Sequence, residues 1–460
     1  MLGVFRKRGN LAVLRVYLKS LGCPKNRVDT ERVIGSLIRD IDFVDQPEDA
    51  DLVFINTCAF IGPAVEESIH TIVQMATDLG LEADGISGDK KCGKVGAGLA
   101  RRPSLAVAGC LVGRYGLAEL RENIPEVDIW LHPAELAHWP RLLAEHLNLA
   151  VAQAGRILST GPSYAWLKIG EGCRHNCSFC VIPSIRGKYT SISTEFLVEE
   201  SRLLLEGGVR ELVLVAQDVT AWGSDVGQDL RHLLEKLLPL SGLAWLRLMY
   251  LYPAGLTSEL LSFLAQAGSP FVPYFDVPLQ HAHPDILRRM GRPFAQNPQE
   301  AVDRIRNYFP EAAMRTTIMV GFPGETEAQF NSLCDFIVRN RFHHLGVFAY
   351  QPEDGTEAAA MPDQVPDRIK EERRDAIMEL QNSISEDILC EYQGRDLEIL
   401  IDAPHEEWPG LFVGRSWFQA PEVDGITYVS GEGAAPGQLV IAEIDQSTDY
   451  DLVGLIISDD

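Results

Sequence analysis

Cys173-Arg174-His175-Asn176-Cys177-Ser178-Phe179-Cys180 places three thiols within eight residues, directly after the apolar run 164–169. Further short apolar runs follow at 211–217, 245–250, 274–278, 315–320 and 345–350, and each of the first five of the six runs precedes a helical stretch. A strand-helix unit repeated in this way predicts parallel strands. Six units fall two short of the closed eight-stranded barrel, so the segment predicts an open, partial (β/α)6 barrel. Loops at the carboxyl ends of barrel strands carry the active sites of such folds, and the cysteine loop lies at one.

Three thiolates on one short loop can bind three irons of a cubane cluster and leave the fourth iron without a protein ligand. That open iron is a place for a substrate or cofactor. The alternative is a zinc knot, which wants a fourth Cys or His at short spacing, and His175 lies inside the loop.

Working outward, the first ~150 residues, about one domain, alternate apolar runs at 13–18, 52–56, 105–108 and 127–131 with helical patterns at 27–39, 64–79 and 115–123. This predicts a doubly wound α/β domain. Cys23, Cys58 and Cys110 each lie just past the end of one predicted strand, where ligands of open α/β sheets bind. They are candidates for a second metal group. Cys334 and Cys390 are expected to pack, and Cys92 is expected to be a free thiol in a Gly- and Lys-rich surface insertion at 82–103. A charged helix at 367–392 leads to runs at 397–401, 411–414, 426–429 and 439–444, separated by Gly and Pro, which predict a small all-β barrel. The expected domains are therefore 1–150, 151–393 and 394–460.

Composition bounds the rest. At 46% hydrophobic and 23% charged residues the chain is globular, neither disordered nor fibrous. No apolar run approaches the ~20 residues of a membrane span. Nine cysteines in 460 residues are too few and too uneven for a disulfide scaffold, and no apolar segment follows Arg6, Lys7 and Arg8 as in a signal peptide. The expectation is a cytoplasmic protein with reduced thiols.

The loop Cys173-x-x-x-Cys177-x-Phe179-Cys180 after the first strand of a six-unit barrel resembles that of the radical S-adenosylmethionine (SAM) enzymes. The resemblance implies that the open iron chelates SAM and that one electron cleaves it to a 5′-deoxyadenosyl radical. It places Phe179 near the adenine and Gln217 and Asp218 at the SAM amino group, with the backbone of Gly321 and Gly324 close to the adenine. Leu21-Gly22-Cys23-Pro24-Lys25-Asn26, Asn56-Thr57-Cys58 and Gly109-Cys110-Leu111 further resemble the N-terminal domain of the methylthiotransferases, and the terminal barrel resembles their TRAM domain. The family then implies two 4Fe-4S clusters, one on Cys173, Cys177 and Cys180 and one on Cys23, Cys58 and Cys110, the second serving sulfur insertion.

Within that family, Cys23-Pro24-Lys25-Asn26 is similar to the branch that modifies an aspartate β-carbon of a small-subunit ribosomal protein, as are Gly414-Arg415-Ser416 and Ala420-Pro421-Glu422-Val423-Asp424-Gly425. Charge bears on the same choice. The chain carries 41 basic and 65 acidic side chains, and residues 396–460 alone hold 14 acidic groups against Arg415. Such a surface repels RNA phosphates and attracts a basic protein. The expected partners are a basic ribosomal protein and an electron donor, with no membrane and no direct tRNA substrate. The alternatives are a tRNA adenosine methylthiotransferase, a two-cluster electron carrier and a zinc-dependent RNA-binding module.

Overall fold

The computed structural model describes residues 13–37, 41–81, 102–149, 155–292, 294, 296–431 and 433–457. The predicted insertion, Cys92 included, falls almost wholly outside them. The chain forms two compact units: one runs up to Ser159 and also takes in Ser184–Arg186, and the other comprises Thr160–Pro183 and the chain from Gly187 onward.

In the first unit, β1 (Leu14–Ser20), β2 (Ile41–Phe43), β3 (Leu52–Thr57), β4 (Ser104–Gly109) and β5 (Ile129–Leu131) form a sheet in the order β2-β1-β3-β4-β5, and every pair is parallel. All six residues of β3 are buried, the pattern of a strand covered on both faces. The helices α1 (Pro24–Gly35), α2 (Gly62–Asp78) and α3 (Cys110–Tyr115) follow β1, β3 and β4 closely. Val16, Phe54, Leu131, Trp139 and Leu143 belong to the core between sheet and helices. β2, only three residues long and too short to show a period, was not among the expected runs. Two expectations need correction. The helix expected at 27–39 ends at Gly35, and that expected at 115–123 is two helices, α3 and Leu117–Asn123; between them Gly116 stands at φ 79°, outside the helical region.

The second unit opens with β6 (Tyr164–Lys168), followed by a short hairpin, β7 (Gly170–Glu171) and β8 (Thr190–Ser191), that the sequence pattern did not reveal. Then come β9 (Glu211–Val215), β10 (Trp245–Leu248), β11 (Phe271–Asp276), β12 (Ala313–Val320) and β13 (His344–Ala349). The six long strands pair in the order β13-β12-β11-β10-β9-β6 without closing, and each pairing is parallel. The helix Asp367–Cys390 connects to a closed barrel of β14 (Asp396–Pro404), β15 (Leu411–Arg415), β16 (Thr427–Ser430), β17 (Leu439–Ser447) and β18 (Leu452–Ile456). The fifth strand of that barrel, β18, was not among the expected runs. Cys390 is exposed rather than packed, because the buried stripe of its helix runs through Ile377, Gln381, Ile384, Ser385, Ile388 and Leu389 and ends before it.

A buried ionic group ties the two barrels of this unit together. Glu211, at the start of β9, accepts from Arg247 Nε at 2.7 Å and Arg415 Nη1 at 2.6 Å. Arg415 also grips Asp402 through Nε at 2.7 Å and Nη2 at 2.9 Å. Burial opposes the Glu211 carboxylate, but Arg415 and Arg247 outweigh it and hold its carboxyl below the usual range. Deleting the central acid strands two buried guanidinium groups. Glu211→Ala should therefore cost about 3–5 kcal/mol in chemical denaturation, whereas removing the exposed Asp396 should change stability by less than about 0.5 kcal/mol.

Candidate metal centres

The order β2-β1-β3-β4-β5 reverses direction between β1 and β3, and open α/β sheets bind ligands beyond the carboxyl ends of the strands at that point. Cys23 follows β1 and caps α1, Cys58 follows β3, and Cys110 follows β4 and opens α3. Two glycines let these loops converge. Gly22 has φ 94°, and a Cβ there would lie 2.8 Å from Cys58 Cβ; Gly109 has φ 100°, and a Cβ would lie 2.2 Å from Asn56 Oδ1. Only glycine adopts such backbone without strain.

Asn26 holds the loops in place. Its buried Nδ2 donates to Leu21 O at 3.2 Å and Thr57 O at 2.8 Å, the residues before the Cys23 turn and Cys58. Asn56 Nδ2 donates back to Asn26 O at 2.8 Å. Thr57 Oγ1 donates to Ala108 O at 2.6 Å and accepts from Leu111 N at 3.2 Å, which draws in the Cys110 loop. Arg186 completes the set: it donates to Asn26 Oδ1 and, through Nε at 3.3 Å and Nη2 at 3.1 Å, to Cys110 Sγ. Burial pushes the Cys58 thiol up to about 11, with the neighbouring Cys110 and Cys23 adding to the rise. Burial also opposes the Cys23 thiolate, but Lys25 and Arg186 more than offset it, so that thiol lies below its usual range.

The barrel loop is fixed on several sides. Ser178 donates through N to Met290 O at 3.1 Å and through Oγ to Arg289 O at 2.8 Å, and it accepts from Ala358 N at 2.8 Å. Phe179 is buried with Ile286, Leu287, Met290, Phe322 and Tyr350, and Cys177 and Cys180 pack against that cluster. Each thiol receives one N–H donor: His175 N to Cys173 at 3.5 Å, Arg292 Nη1 to Cys177 at 3.4 Å, and Ile182 N to Cys180 at 3.5 Å. Burial raises the Cys173 thiol and pushes Cys180 up to about 12.

Around this loop, His175 Nε2 lies 2.6 Å from Asp218 Oδ2 and its ring stacks on Tyr252 at 3.6 Å. The Asp218 carboxylate thus orients the cysteine loop, and it also accepts from Thr220 Oγ1 at 2.6 Å. Gln217 Nε2 donates to Glu171 at 2.8 Å, while its buried Oε1 has no partner, an acceptor suited to an ammonium group. Gly321 and Gly324 both have positive φ, and their missing Cβ positions are filled by the side chains of Lys370 and Arg289. Beside them Glu325 Oε2 accepts from Gly321 N at 2.7 Å.

All six candidate cysteines are unbridged. Among the described residues no three His, Cys, Asp or Glu side chains converge on one ion position. The roles of Asn26, Arg186 and Arg292 were not read from the sequence; Arg186 carries no local signal, because its partners lie some 76 to 160 positions away in the chain.

The model of the radical SAM superfamily matches residues 167–337, that of the TRAM domain 394–457, and that of the uncharacterized protein family UPF0004 15–132. Structurally, the chain is similar to the radical SAM methyltransferase TsrM of Kitasatospora setae, with a TM-score of 0.53, 13% identity, and coverage of 87% of this chain and 81% of that one. The class is thus a radical SAM fold with a terminal TRAM barrel. The sequence is 59% identical over 447 residues to the ribosomal protein uS12 methylthiotransferase RimO of Nitratidesulfovibrio vulgaris strain DP4, covering 96% of this chain and 100% of that protein. It is 39% identical to that of Aquifex aeolicus, over 96% and 97%. This chain belongs to the RimO family of ribosomal protein uS12 methylthiotransferases.

Two outcomes follow from the site. After anaerobic reconstitution, Cys58→Ala and Cys177→Ala should each reduce bound iron from about eight to about four per chain by metal analysis. The second concerns His281, whose Nε2 lies 3.7 Å from Glu325. Burial, with His283 and Arg373 nearby, pushes its imidazole down to about 3. Because the folded state binds this proton less readily than the unfolded chain, the stability it contributes is present above ~6.5 and is lost as pH falls toward 3. His281→Leu should flatten that part of the stability–pH curve in denaturant titrations.

Proposed function

We propose that this protein methylthiolates the β-carbon of an aspartate in the small-subunit ribosomal protein uS12. The observation that carries the proposal is the pair of separate cysteine triads, each at strand carboxyl ends, in a chain that matches uS12 methylthiotransferases from end to end. Cys173, Cys177 and Cys180 would hold one 4Fe-4S cluster, and Cys23, Cys58 and Cys110 the other. SAM would lie among Phe179, Gln217, Asp218, Gly321 and Gly324, its ammonium on Gln217 Oε1. When bound, these groups supply reductive SAM cleavage at the barrel and sulfur at the second triad. An electron donor is required.

The chain's own residues prepare both sites. The N–H donors on the barrel thiols point at the sulfurs that would ligate the cluster, and Phe179 anchors the loop in its apolar cluster. Among residues 396–457 Arg415 is the one Lys or Arg, and it is buried against Glu211 and Asp402. The outer surface of the terminal barrel therefore presents Asp396, Glu398, Glu406, Glu407, Glu443 and Asp445, with Arg395 at its first edge the one exposed Lys or Arg among the described residues of 394–457. That favours a basic protein partner over tRNA. We assign residues 1–150 to sulfur insertion, 151–393 to radical generation and 394–460 to docking, in the cytoplasm where ribosomes are met. No helix among the described residues is long and apolar enough to cross a membrane.

The test is a competition. Reconstituted protein with SAM, sulfide and reductant is offered small ribosomal subunits and tRNA together, and each is read by mass spectrometry. The expected product is a methylthio group on a uS12 aspartate; modification of tRNA alone would overturn the assignment. Cys177→Ala should abolish 5′-deoxyadenosine formation, whereas Cys58→Ala should retain it and lose methylthiolation.

A further inference from the structure

Arg186 lies six residues after Cys180 in the sequence but packs within the first unit. Its side chain is 2% exposed. Burying a guanidinium is costly unless its donors are used, and here the use is specific. Nη1 meets Asp29 Oδ2 at 3.3 Å and Nη2 meets Asn26 Oδ1, which fix the plane of the group. The two donors on the remaining edge, Nε at 3.3 Å and Nη2 at 3.1 Å, both point at Cys110 Sγ. Asp29 is itself fully buried and balances the charge before any metal group is bound. Two donors aimed at one sulfur make little sense for a neutral packing thiol, because a thiol is a weak acceptor. They suit a sulfur that carries negative charge.

We propose that Arg186 is a positioning residue that sets the reduction potential of the cluster held by Cys23, Cys58 and Cys110. The inference rests on the reading of those thiols as cluster ligands given above. A cluster gains one negative charge when it takes up one electron, and hydrogen bonds and positive charge at a ligand sulfur stabilise that reduced form. Arg186 cannot lose its proton at working pH, so its effect is constant. It therefore raises the midpoint potential of this cluster and leaves that of the barrel cluster alone.

The test uses the full chain with Cys177→Ala, reconstituted so that only the first triad is loaded, in three forms: Arg186 intact, Arg186→Gln and Arg186→Lys. Iron and sulfide are measured, and the midpoint is then read by electron paramagnetic resonance during titration with dithionite. The Gln form should retain iron but titrate at a lower midpoint, and the Lys form, which keeps the cation but not the fixed two-donor edge of the guanidinium, should fall between. In a Cys58→Ala background, Arg186→Gln should leave the barrel midpoint where it was. One midpoint shared by all three forms would overturn the proposal. If Gln costs the cluster or the fold, the Lys form decides alone: a lowered midpoint supports the role and an unchanged one overturns it. Failure of the Cys177→Ala parent itself to bind about four irons would overturn the cluster reading, a result separable from any effect at Arg186.

Discussion

The geometry of the first cysteine triad depends on one buried amide. Asn26 is fully buried, so each polar atom of its side chain must find a partner inside the protein. Its two Nδ2 bonds reach the backbone on either side of the β1–β3 junction, and its Oδ1 takes the guanidinium that reaches Cys110. One side chain therefore connects the three loops that carry Cys23, Cys58 and Cys110. The sheet order makes this possible. Because the crossovers diverge at the junction of β1 and β3, a crevice opens there, and the loops line it without being neighbours in sequence.

The barrel triad is built on the opposite principle. Its three thiols are local in sequence, so the fold must hold the loop stiff rather than gather distant residues. Phe179 anchors it in an apolar cluster, Ser178 fastens it to the end of the Pro284–Arg289 helix and to Ala358, and Gly291 allows the backbone to approach Asn176 O, where a Cβ would stand at 2.8 Å. His175, inside the loop, is taken up by Asp218 and Tyr252. The zinc alternative drew on this histidine. Its engagement with a carboxylate and an aromatic ring gives it an orienting role instead.

The terminal barrel shows how one buried contact changes the meaning of a charge count. Arg415 is the one basic group in a strongly acidic segment, yet it is spent on Glu211 and Asp402 inside the unit. The sequence count thus understates how uniformly negative the solvent face is. The same contact fastens the terminal barrel to the strand β9.

The sequence by itself determined the partial barrel, the α/β domain before it, the small β-barrel after it, and the positions of the six cysteines at strand ends. These are properties of period and spacing: buried parallel strands read as continuous apolar runs, and a loop of three thiols is contiguous. It did not disclose the short pieces, β2 and the β7–β8 hairpin, which have too few residues to establish a period, nor that Cys390 lies off the buried stripe of its helix. Only the tertiary structure decided which side chains face the thiols. Arg186, Asn26 and Arg292 act through contacts between residues far apart in the chain, and Asp218 turns toward His175 because of where β9 ends. Hydrogen-bond partners of this kind are set by the convergence of strand ends in space, which no local pattern of residues records.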